Sequence, residues 1–390
     1  MNNLVEQYKI IQHVTRHYAG EGDLEQARVA VSVITPVAEK GNAKAQYVLG
    51  KYYSWGYGED CDNQKAIYWF EKAADKGNEK AAEALANLYR YDFPDDEIEA
   101  QDKKAFVLKW HKRRIAILED KAAKGVAGAA EALMNLYVND CPGDIAPEEG
   151  IAIAREWHDR WIEMLKAKAD KGNMAVRKKL ADILYYGTGV PDEVLELIED
   201  DDTDTSEDDA ATLYSEIAVG ENDAEGWLNL GQIYSRSDED WQKSLDCYMK
   251  AAALGHKEAY RCVGSVYFEG RGVEQDLSKA REWYRCGADA GDVPAQLMLA
   301  DCYKRGLGGE KDYTVAMELY RQIASRSNLR RKYMHELGTA QYEIGNMYMK
   351  GLGVDVDLRQ AYDWFKLAAG NCSLAAENAL NNKKFRDFRK

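Results

Sequence analysis

Proline, cysteine and long apolar runs are scarce or missing in this chain of 390 residues. Only 6 prolines occur, while alanine, leucine, glutamate and lysine are abundant, which favours helices throughout. The 7 cysteines are scattered and include no C-x-x-C pair, so the sequence indicates neither a disulfide framework nor a zinc site. We expect them to be small buried residues of a protein kept in a reducing compartment.

Signals for membranes and export are also missing. No run of about 18 apolar residues is present, which excludes a membrane-spanning helix. The N-terminal sequence MNNLVEQYKIIQHVTRHYAGEG lacks a basic segment followed by an apolar core and a small-residue cleavage site. We therefore expect a cytoplasmic protein that makes no membrane contact.

Positive charge is in the minority, with 52 lysines and arginines against 67 acids and a net charge of -15. Neutralising nucleic-acid phosphates requires clustered lysine and arginine, so the composition argues against a nucleic-acid partner. A basic protein or peptide is the easier electrostatic match.

Motifs for chemistry are not found. The chain has no G-x-S-x-G, no nucleotide fingerprint and no H-E-x-x-H. His13 and His17 are four residues apart, and His111 and His158 each follow a tryptophan, but a metal site would need further ligands. We interpret these histidines as surface or packing residues and predict no catalytic residue, no metal and no cofactor.

A repeated unit dominates what is present. The segment 259–291, AYRCVGSVYFEGRGVEQDLSKAREWYRCGADAG, has a counterpart at 45–77 with the same residue types at the same offsets. Self-similarity of this kind indicates a repeat protein, here built of helix pairs whose first helix ends at glycines. The matched positions are Gly264 and Gly50, Tyr267 and Tyr53, Gly270-x-Gly272 and Gly56-x-Gly58, and Trp283 and Trp69.

The repeats divide the chain into three regions. Residues 1–42 form a degenerate N-terminal helix pair, with helices predicted at 5–18 and 24–39. Residues 43–370 hold about eight repeats in one continuous solenoid, and residues 371–390 form a C-terminal capping helix with a basic tail. Units two, three and seven are predicted to have lengthened second helices. Asp62 or Asn63 is predicted to cap the second helix of unit one.

The pattern A-x-x-x-L-G-x-x-Y-x-x-G-x-G-V-x-x-D-x-x-K-A-x-x-W-Y-x-x-A-A-x-x-G is nearly complete in units one, six and eight. It resembles the Sel1-like repeat family, relatives of tetratricopeptide repeats. The resemblance implies an all-α fold, a right-handed α/α superhelical solenoid whose first helices line the concave face. It also implies a role in protein complexes, usually without catalysis, and it specifies no ligand.

Small residues and tryptophans recur at fixed places in the units. Small residues in the first helix let neighbouring helices approach closely, and tryptophans in the second helix are expected to supply buried area between units. The small residues are alanine or glycine at 50, 86, 231, 264, 300 and 345, and the tryptophans are Trp69, Trp241, Trp283 and Trp364.

The residue that follows the small position is never apolar, so this column is expected to face solvent. In tetratricopeptide relatives the column faces the groove, where asparagine amides can bond an extended peptide and aromatic or arginine side chains can anchor it. The predicted partner-binding residues are Tyr47, Lys51, Trp55, Glu83, Asn87, Arg90, Tyr91, Asn135, Arg261, Asp301, Arg305, Tyr342 and Asn346.

An acidic stretch at 191–209 carries eleven acids and no bases. We predict a solvated loop there, and the alternative is a contact for a cationic partner through Asp200, Asp201, Asp202 and Asp204. A calcium loop is excluded because Thr205 stands where the turn requires glycine.

The sequence therefore predicts a non-catalytic scaffold that binds a protein or peptide, with a basic partner as the easier match. One hypothesis is a cytoplasmic immunity protein that neutralises a cationic antibacterial toxin. The alternatives are a regulatory or signalling adaptor and an accessory subunit that organises an enzyme complex.

Overall fold

A computed structural model describes residues 2–14, 21–55, 61–92, 99–199, 206–236, 240–326 and 332–388. Within these ranges every regular element is helical, and no helix is both long and apolar enough to cross a membrane. The chain divides into two compact units, Met1–Asp204 and Thr205–Lys390. Each unit is a stack of antiparallel helix pairs, which confirms the predicted α/α solenoid class.

The first unit contains ten α-helices within its described residues. They are α1 (Asn2–Val14), α2 (Glu21–Glu39), α3 (Ala43–Trp55), α4 (Asn63–Asp75), α5 (Glu79–Asn87), α6 (Ala100–Ala123), α7 (Ala127–Asn139), α8 (Pro147–Ala169), α9 (Met174–Tyr186) and α10 (Asp192–Glu199). A π-helical turn, Leu88–Asp92, continues α5.

The second unit contains ten more in the part that the structure describes. They are α11 (Ser206–Glu221), α12 (Ala224–Tyr234), α13 (Trp241–Ala253), α14 (Lys257–Glu269), α15 (Leu277–Asp289), α16 (Val293–Arg305), α17 (Tyr313–Ala324), α18 (Met334–Lys350), α19 (Leu358–Ala369) and α20 (Leu374–Leu380). A 3-10 helix follows at Lys383–Phe388.

Consecutive helices pack against each other inside each unit, and the first helices of neighbouring repeats also touch. In the first unit α3 contacts α5, and in the second unit α16 contacts both α14 and α18. In each unit we call the surface of these first helices the first-helix face: α3, α5, α7 and α9 in the first unit, and α12, α14, α16 and α18 in the second. The second helices are α4, α6 and α8 in the first unit, and α13, α15, α17 and α19 in the second.

An aromatic ring of the second helix lies on a glycine of the first helix in four repeats. At Gly264 an added Cβ would stand 2.7 Å from ring carbons of Tyr284, and at Gly345 it would stand 2.7 Å from the ring of Phe365. These distances are far below van der Waals contact, so the helix spacing requires glycine at these positions. The full set of pairs is Gly50–Phe70, Gly231–Tyr248, Gly264–Tyr284 and Gly345–Phe365.

The predicted tryptophans are not the centre of this packing. Trp69 is buried, but Trp241, Trp283 and Trp364 are only half-buried. The following aromatic residue takes the central place beside three of them: Phe70, Tyr284 and Phe365 are buried to 3% exposure or less. Adjacent helical residues point about 100° apart, so only one of each pair can face the glycine.

The helix ends follow the predicted turn and cap chemistry. Asp62, rather than Asn63, is the N-cap of α4, and its carboxylate accepts a hydrogen bond from the Lys65 amide at 2.9 Å. Gly270 ends α14 with φ +71°, a left-handed conformation that side chains other than glycine rarely adopt.

Helix lengths agree with the prediction in units two and three but not in unit seven. The second helices α6 and α8 have 24 and 23 residues. In unit seven α17 has only 12 residues, and the extra length belongs to the following first helix, α18, which has 17. The added turn of α18 includes Leu337, which is buried.

The acidic stretch is partly helical, which corrects the predicted loop. Residues Asp192–Glu199 form α10, which packs against α8, and α11 begins at Ser206. Val194 is fully buried, and Leu195 packs beside Gly187 at the end of α9. An apolar stripe therefore holds this acidic segment as a helix.

The cysteines are all free, but the expectation that they are buried is right for only some of them. Cys247 and Cys302 are buried, whereas Cys61, Cys286 and Cys372 are exposed. Burial raises the pKa of the Cys247 and Cys302 thiols to about 11. These two therefore act as small packing residues, as predicted.

Replacing Gly264 by alanine should destabilise the second unit, because its methyl group would overlap the Tyr284 ring. We expect a loss of about 1–3 kcal/mol in the free energy of unfolding, measured by urea denaturation. The control is Gly128→Ala in α7, where an added Cβ meets nothing within 4 Å. That variant should be neutral or more stable by up to about 1 kcal/mol. Equal effects of the two substitutions would show that the ring contact does not set the helix spacing.

Candidate functional site

The column of residues after the small position is partly or fully exposed in all eight repeats. Asn87 is exposed, and the other members are half-buried beside the packing positions. Within each unit the column therefore forms a polar, solvent-accessible set of positions on the first-helix face. Its members are Lys51, Asn87, Asn135, Asp182, Gln232, Ser265, Asp301 and Asn346.

Two predicted anchor residues pack on the core rings. Tyr47 lies 5.9 Å from Phe70 between ring centroids, and Tyr342 lies 5.5 Å from Phe365. Both tyrosines are half-buried, so each has one side on the protein and one side toward solvent. They offer aromatic surface at the first-helix face in a fixed position.

The asparagine amides of the column are partly used within the protein. Asn135 donates from Nδ2 to the Glu131 carbonyl oxygen at 2.8 Å, and Asn346 Nδ2 lies 3.5 Å from Glu343 Oε2. The predicted peptide contact through these donors would have to replace the internal bonds. Trp55 is the last residue of α3, and its side chain lies outside what the structure describes.

Asp301, one of the predicted residues of the second unit, belongs to a polar network that joins α16 to α17 and α18. Lys304 Nζ lies 3.1 Å from Asp301 Oδ1 and 3.0 Å from Glu343 Oε2, which connects α16 to α18. The Tyr320 hydroxyl donates to the Asp301 carboxylate, and burial raises the pKa of this phenol. Arg305 ends α16 and is exposed.

Arg261 performs a similar connecting role at the start of α16. Its guanidinium lies 3.3 Å from Asp292 and 2.5 Å from Glu258. Asp292 is buried and caps α16 by accepting the Ala295 amide hydrogen at 2.9 Å. Burial raises the pKa of Asp292. Arg261 thus supplies the charge that a buried carboxylate requires.

The first unit has a denser polar cluster where three elements meet. Arg90 in the π-helical turn lies 2.9 Å from Asp140, the residue after α7, and 3.1 Å from His111 of α6. His111 Nε2 lies 3.2 Å from Asp140, and the ring is only 2% exposed. Arg114 adds an ion pair to Glu83 at 3.1 Å. We call Arg90, His111, Arg114 and Asp140 the first-unit cluster.

Within this cluster the Asp140 carboxylate balances several positive groups. Burial by itself would raise the pKa of Asp140, but hydrogen bonds from His111 and Arg90 outweigh it and hold the pKa below its ordinary value. The cluster lies at a π-helical turn, an irregularity that is frequent at functional sites.

The sequence predicted Arg90 and Glu83 as binding residues but missed the rest of this cluster. The two Trp-His pairs could have drawn attention to His111, because His111 and His158 occupy matching places on the two long helices. Only His111 enters a polar cluster, and His158 lies beside Asp159 at 3.1 Å. Nothing local in the sequence marks Asp140 as a partner of Arg90.

The remaining predicted residues lie in two places. Tyr91 is 71% exposed beside Arg90, whose guanidinium lies 5.8 Å from the tyrosine ring centroid. The four aspartates proposed as a contact for a cationic partner, Asp200, Asp201, Asp202 and Asp204, lie outside the described residues.

Comparisons with known proteins agree with this architecture. The sequence model described as Sel1 repeat matches residues 43–78, 258–292, 293–328 and 338–371. A search of the curated proteins gave no match.

Solved structures with this repeat are similar to the chain. A Sel1 repeat protein from Oxalobacter formigenes is 19% identical, with a TM-score of 0.51 over 90% of this chain and 88% of that chain. A protective antigen of uropathogenic Escherichia coli strains with an SLR fold is 22% identical, with a TM-score of 0.34 over 99% and 89% of the two chains. At such identities the first similarity supports the fold alone.

Replacing Asp140 by asparagine should destabilise the protein at pH 7, because it leaves Arg90, His111 and Arg114 without their shared carboxylate. We expect a loss of about 1–3 kcal/mol in the free energy of unfolding, measured by urea denaturation. The lowered pKa means that this contribution is complete above the unfolded-state pKa, about 3.9, and is lost as the pH falls through the folded-state value. The difference from wild type should therefore shrink toward pH 3.

The matched control is Asp144→Asn, which removes an exposed ion pair with Lys112 at 2.6 Å. This change should leave the urea midpoint nearly unaltered, because exposed ion pairs contribute little. A difference between Asp140→Asn and wild type that persists unchanged at pH 3 would contradict the role assigned to the carboxylate.

Proposed function

Because this chain is a Sel1-like repeat protein, we propose that it acts as a non-catalytic scaffold that binds a protein or peptide on its first-helix face. One observation carries the proposal: the column stays polar and accessible between buried positions. Lys51, for example, lies between buried Gly50 and Tyr52. A folded core does not require a polar residue at this place, whereas a binding face does.

The face combines side chains of the types that anchor partners. Tyr91 and Arg305 are exposed, and Tyr47 and Tyr342 present half-buried rings held by core aromatics. Rigid aromatic and arginine side chains give contact area with little loss of conformational entropy.

Two specific forms of this function have separate support. The net charge of -15 supports neutralisation of a cationic protein, as a cytoplasmic immunity protein would do with an antibacterial toxin. The exposed side chains of Tyr91 and Arg305, which are types that anchor partners of either charge, support the second form, a regulatory adaptor or accessory subunit. The isoelectric point of a captured partner distinguishes the two forms.

The proposal is tested by affinity capture from native lysate followed by mass spectrometry. One variant carries Asn87→Ala and Tyr91→Ala in the first unit, and another carries Arg305→Ala in the second. All three residues are exposed, so both variants should fold with unchanged melting temperatures. We expect at least one of them to lose about tenfold or more of a partner that wild type captures.

Matched controls come from the second helices. Tyr68→Ala in α4 removes a tyrosine that is 49% exposed, and Lys366→Ala in α19 removes an exposed base. These controls should capture the partner as wild type does. Loss of capture in the controls, with capture retained in both first-helix variants, would assign binding to the other face and overturn the proposal.

A further inference from the structure

The outer surface of α2 carries a long uncharged stretch. Residues 29–38, VAVSVITPVA, contain no charged residue, whereas none of the second helices has more than five uncharged residues in succession. Among the described side chains of the neighbouring helix α1, the exposed charges are one acid and one base, Glu6 and Lys9. Charged and polar residues normally occupy the solvent side of a surface helix, so α2 differs from the helices that follow it.

Four residues of this stretch lie on one exposed side of α2, at spacings of three and four residues. Val29 is 55% exposed and Val33 is 38% exposed. Ser32 and Pro36 are exposed as well, whereas Ile34, on the other side of the helix, is fully buried. We call Val29, Ser32, Val33 and Pro36 the α2 stripe.

The side-chain donors of this stretch already have partners within the helix. The Ser32 hydroxyl donates to the Val29 carbonyl oxygen at 2.7 Å, and the Thr35 hydroxyl donates to the Val31 carbonyl oxygen at 2.8 Å. Pro36 has no backbone N–H to satisfy. Covering the α2 stripe therefore leaves no side-chain donor without a partner, and the cost of removing it from water is small.

The charges at the two ends of the stripe complement those of a second copy of α2. Glu25 precedes the midpoint between Ser32 and Val33 by about 11 Å along the helix, and Lys40 follows it by the same distance. Both side chains are exposed. When two copies of α2 pack antiparallel about this midpoint, Glu25 of each copy lies beside Lys40 of the other.

Arg28 and Glu39 form a second complementary set. They are eleven residues apart, close to three full turns, so they lie on the same flank of the α2 stripe. The same flanks of two identical helices meet when the helices pack antiparallel, which brings Arg28 of each copy to Glu39 of the other. Arg28 now lies 3.7 Å from Glu25 in an exposed ion pair, and exchanging such a partner costs little.

A parallel arrangement of two copies would be repelled by the same charges. In register it places Glu25 against Glu25 and Lys40 against Lys40. The charges at the ends of the α2 stripe therefore favour an antiparallel second copy as its occupant.

We propose that the chain forms a twofold-symmetric dimer in which the α2 stripes of two copies pack antiparallel. The valines and prolines leave water at the centre of the contact, and the Glu25–Lys40 and Arg28–Glu39 pairs, each occurring twice, border it. One helix from each copy gives a small contact, so the dimer dissociates on dilution. The inference goes beyond the scaffold function, because α2 is not part of the first-helix face.

The first test is sedimentation equilibrium of the full chain between about 1 and 200 µM, where the wild type should change from monomer to dimer. Val33→Glu should raise the dissociation constant about tenfold or more, because it places a charge at the centre of the contact. The matched control is Val219→Glu, at a valine of α11 that is 67% exposed, and it should change the dissociation constant less than about twofold. Both valines are exposed, so both variants should keep the melting temperature of the wild type.

A charge exchange tests the antiparallel register. Glu25→Lys and Lys40→Glu should each raise the dissociation constant about three- to tenfold at low salt, because each change makes two attractive pairs repulsive. The variant that carries both changes restores the attraction and should return to within about twofold of the wild type. Raising the salt concentration should reduce the differences among these four proteins.

Four outcomes would overturn the proposal. A wild type that stays monomeric over the whole range would exclude the dimer, and a mass that continues to rise beyond the dimer would indicate head-to-tail association. A dimer that Val33→Glu leaves intact would exclude the α2 stripe as its contact. A double variant as weak as the single ones would exclude the antiparallel register. None of these outcomes bears on the capture experiment, which changes Asn87, Tyr91 and Arg305, residues outside α2.

Discussion

The structure depends on one steric constraint, the contact between an aromatic ring of the second helix and a glycine of the first. At Gly264 and Gly345 there is no room for a methyl group, so the two helices stand at a separation that the ring alone determines. The buried rings of Tyr284 and Phe365 then supply much of the apolar area of their pairs. Because each contact lies within one pair, each of the four repeats that has it carries its own packing centre.

Packing within a helix pair is concentrated at that contact. The residue that follows the glycine or alanine is therefore not needed for this packing, and its role differs between repeats. Some repeats use it for connections between helices, as Asp301 does through Lys304 and Tyr320. Others leave it accessible, as at Asn87. In the first unit a π-helical turn and the long helix α6 interrupt the regular pattern, and the first-unit cluster lies where they meet. The irregular elements of the first unit therefore hold its buried polar cluster.

The repeats, the glycine turns and the cap Asp62 could be predicted because each follows from residues close together in sequence. Two features could not, and a third was predictable but missed. The choice of Phe70 over Trp69 as the central ring depends on helix rotation, which adjacent aromatic residues leave open. The pairing of Arg90 with Asp140 joins residues 50 positions apart. The acidic composition of 191–209 hid an apolar stripe, although the spacing of Val194 and Ile198 could have predicted α10.

The position of Tyr342 has a thermodynamic consequence for any ligand of the first-helix face. This ring contacts Phe365, the same ring that sits on Gly345. A ligand that displaces Tyr342 removes a neighbour of the core ring and loosens its helix pair, so part of the binding free energy is offset by lost repeat stability. A ligand that stacks on Tyr342 where it stands has no such loss, and it raises the melting temperature of the repeat that it binds.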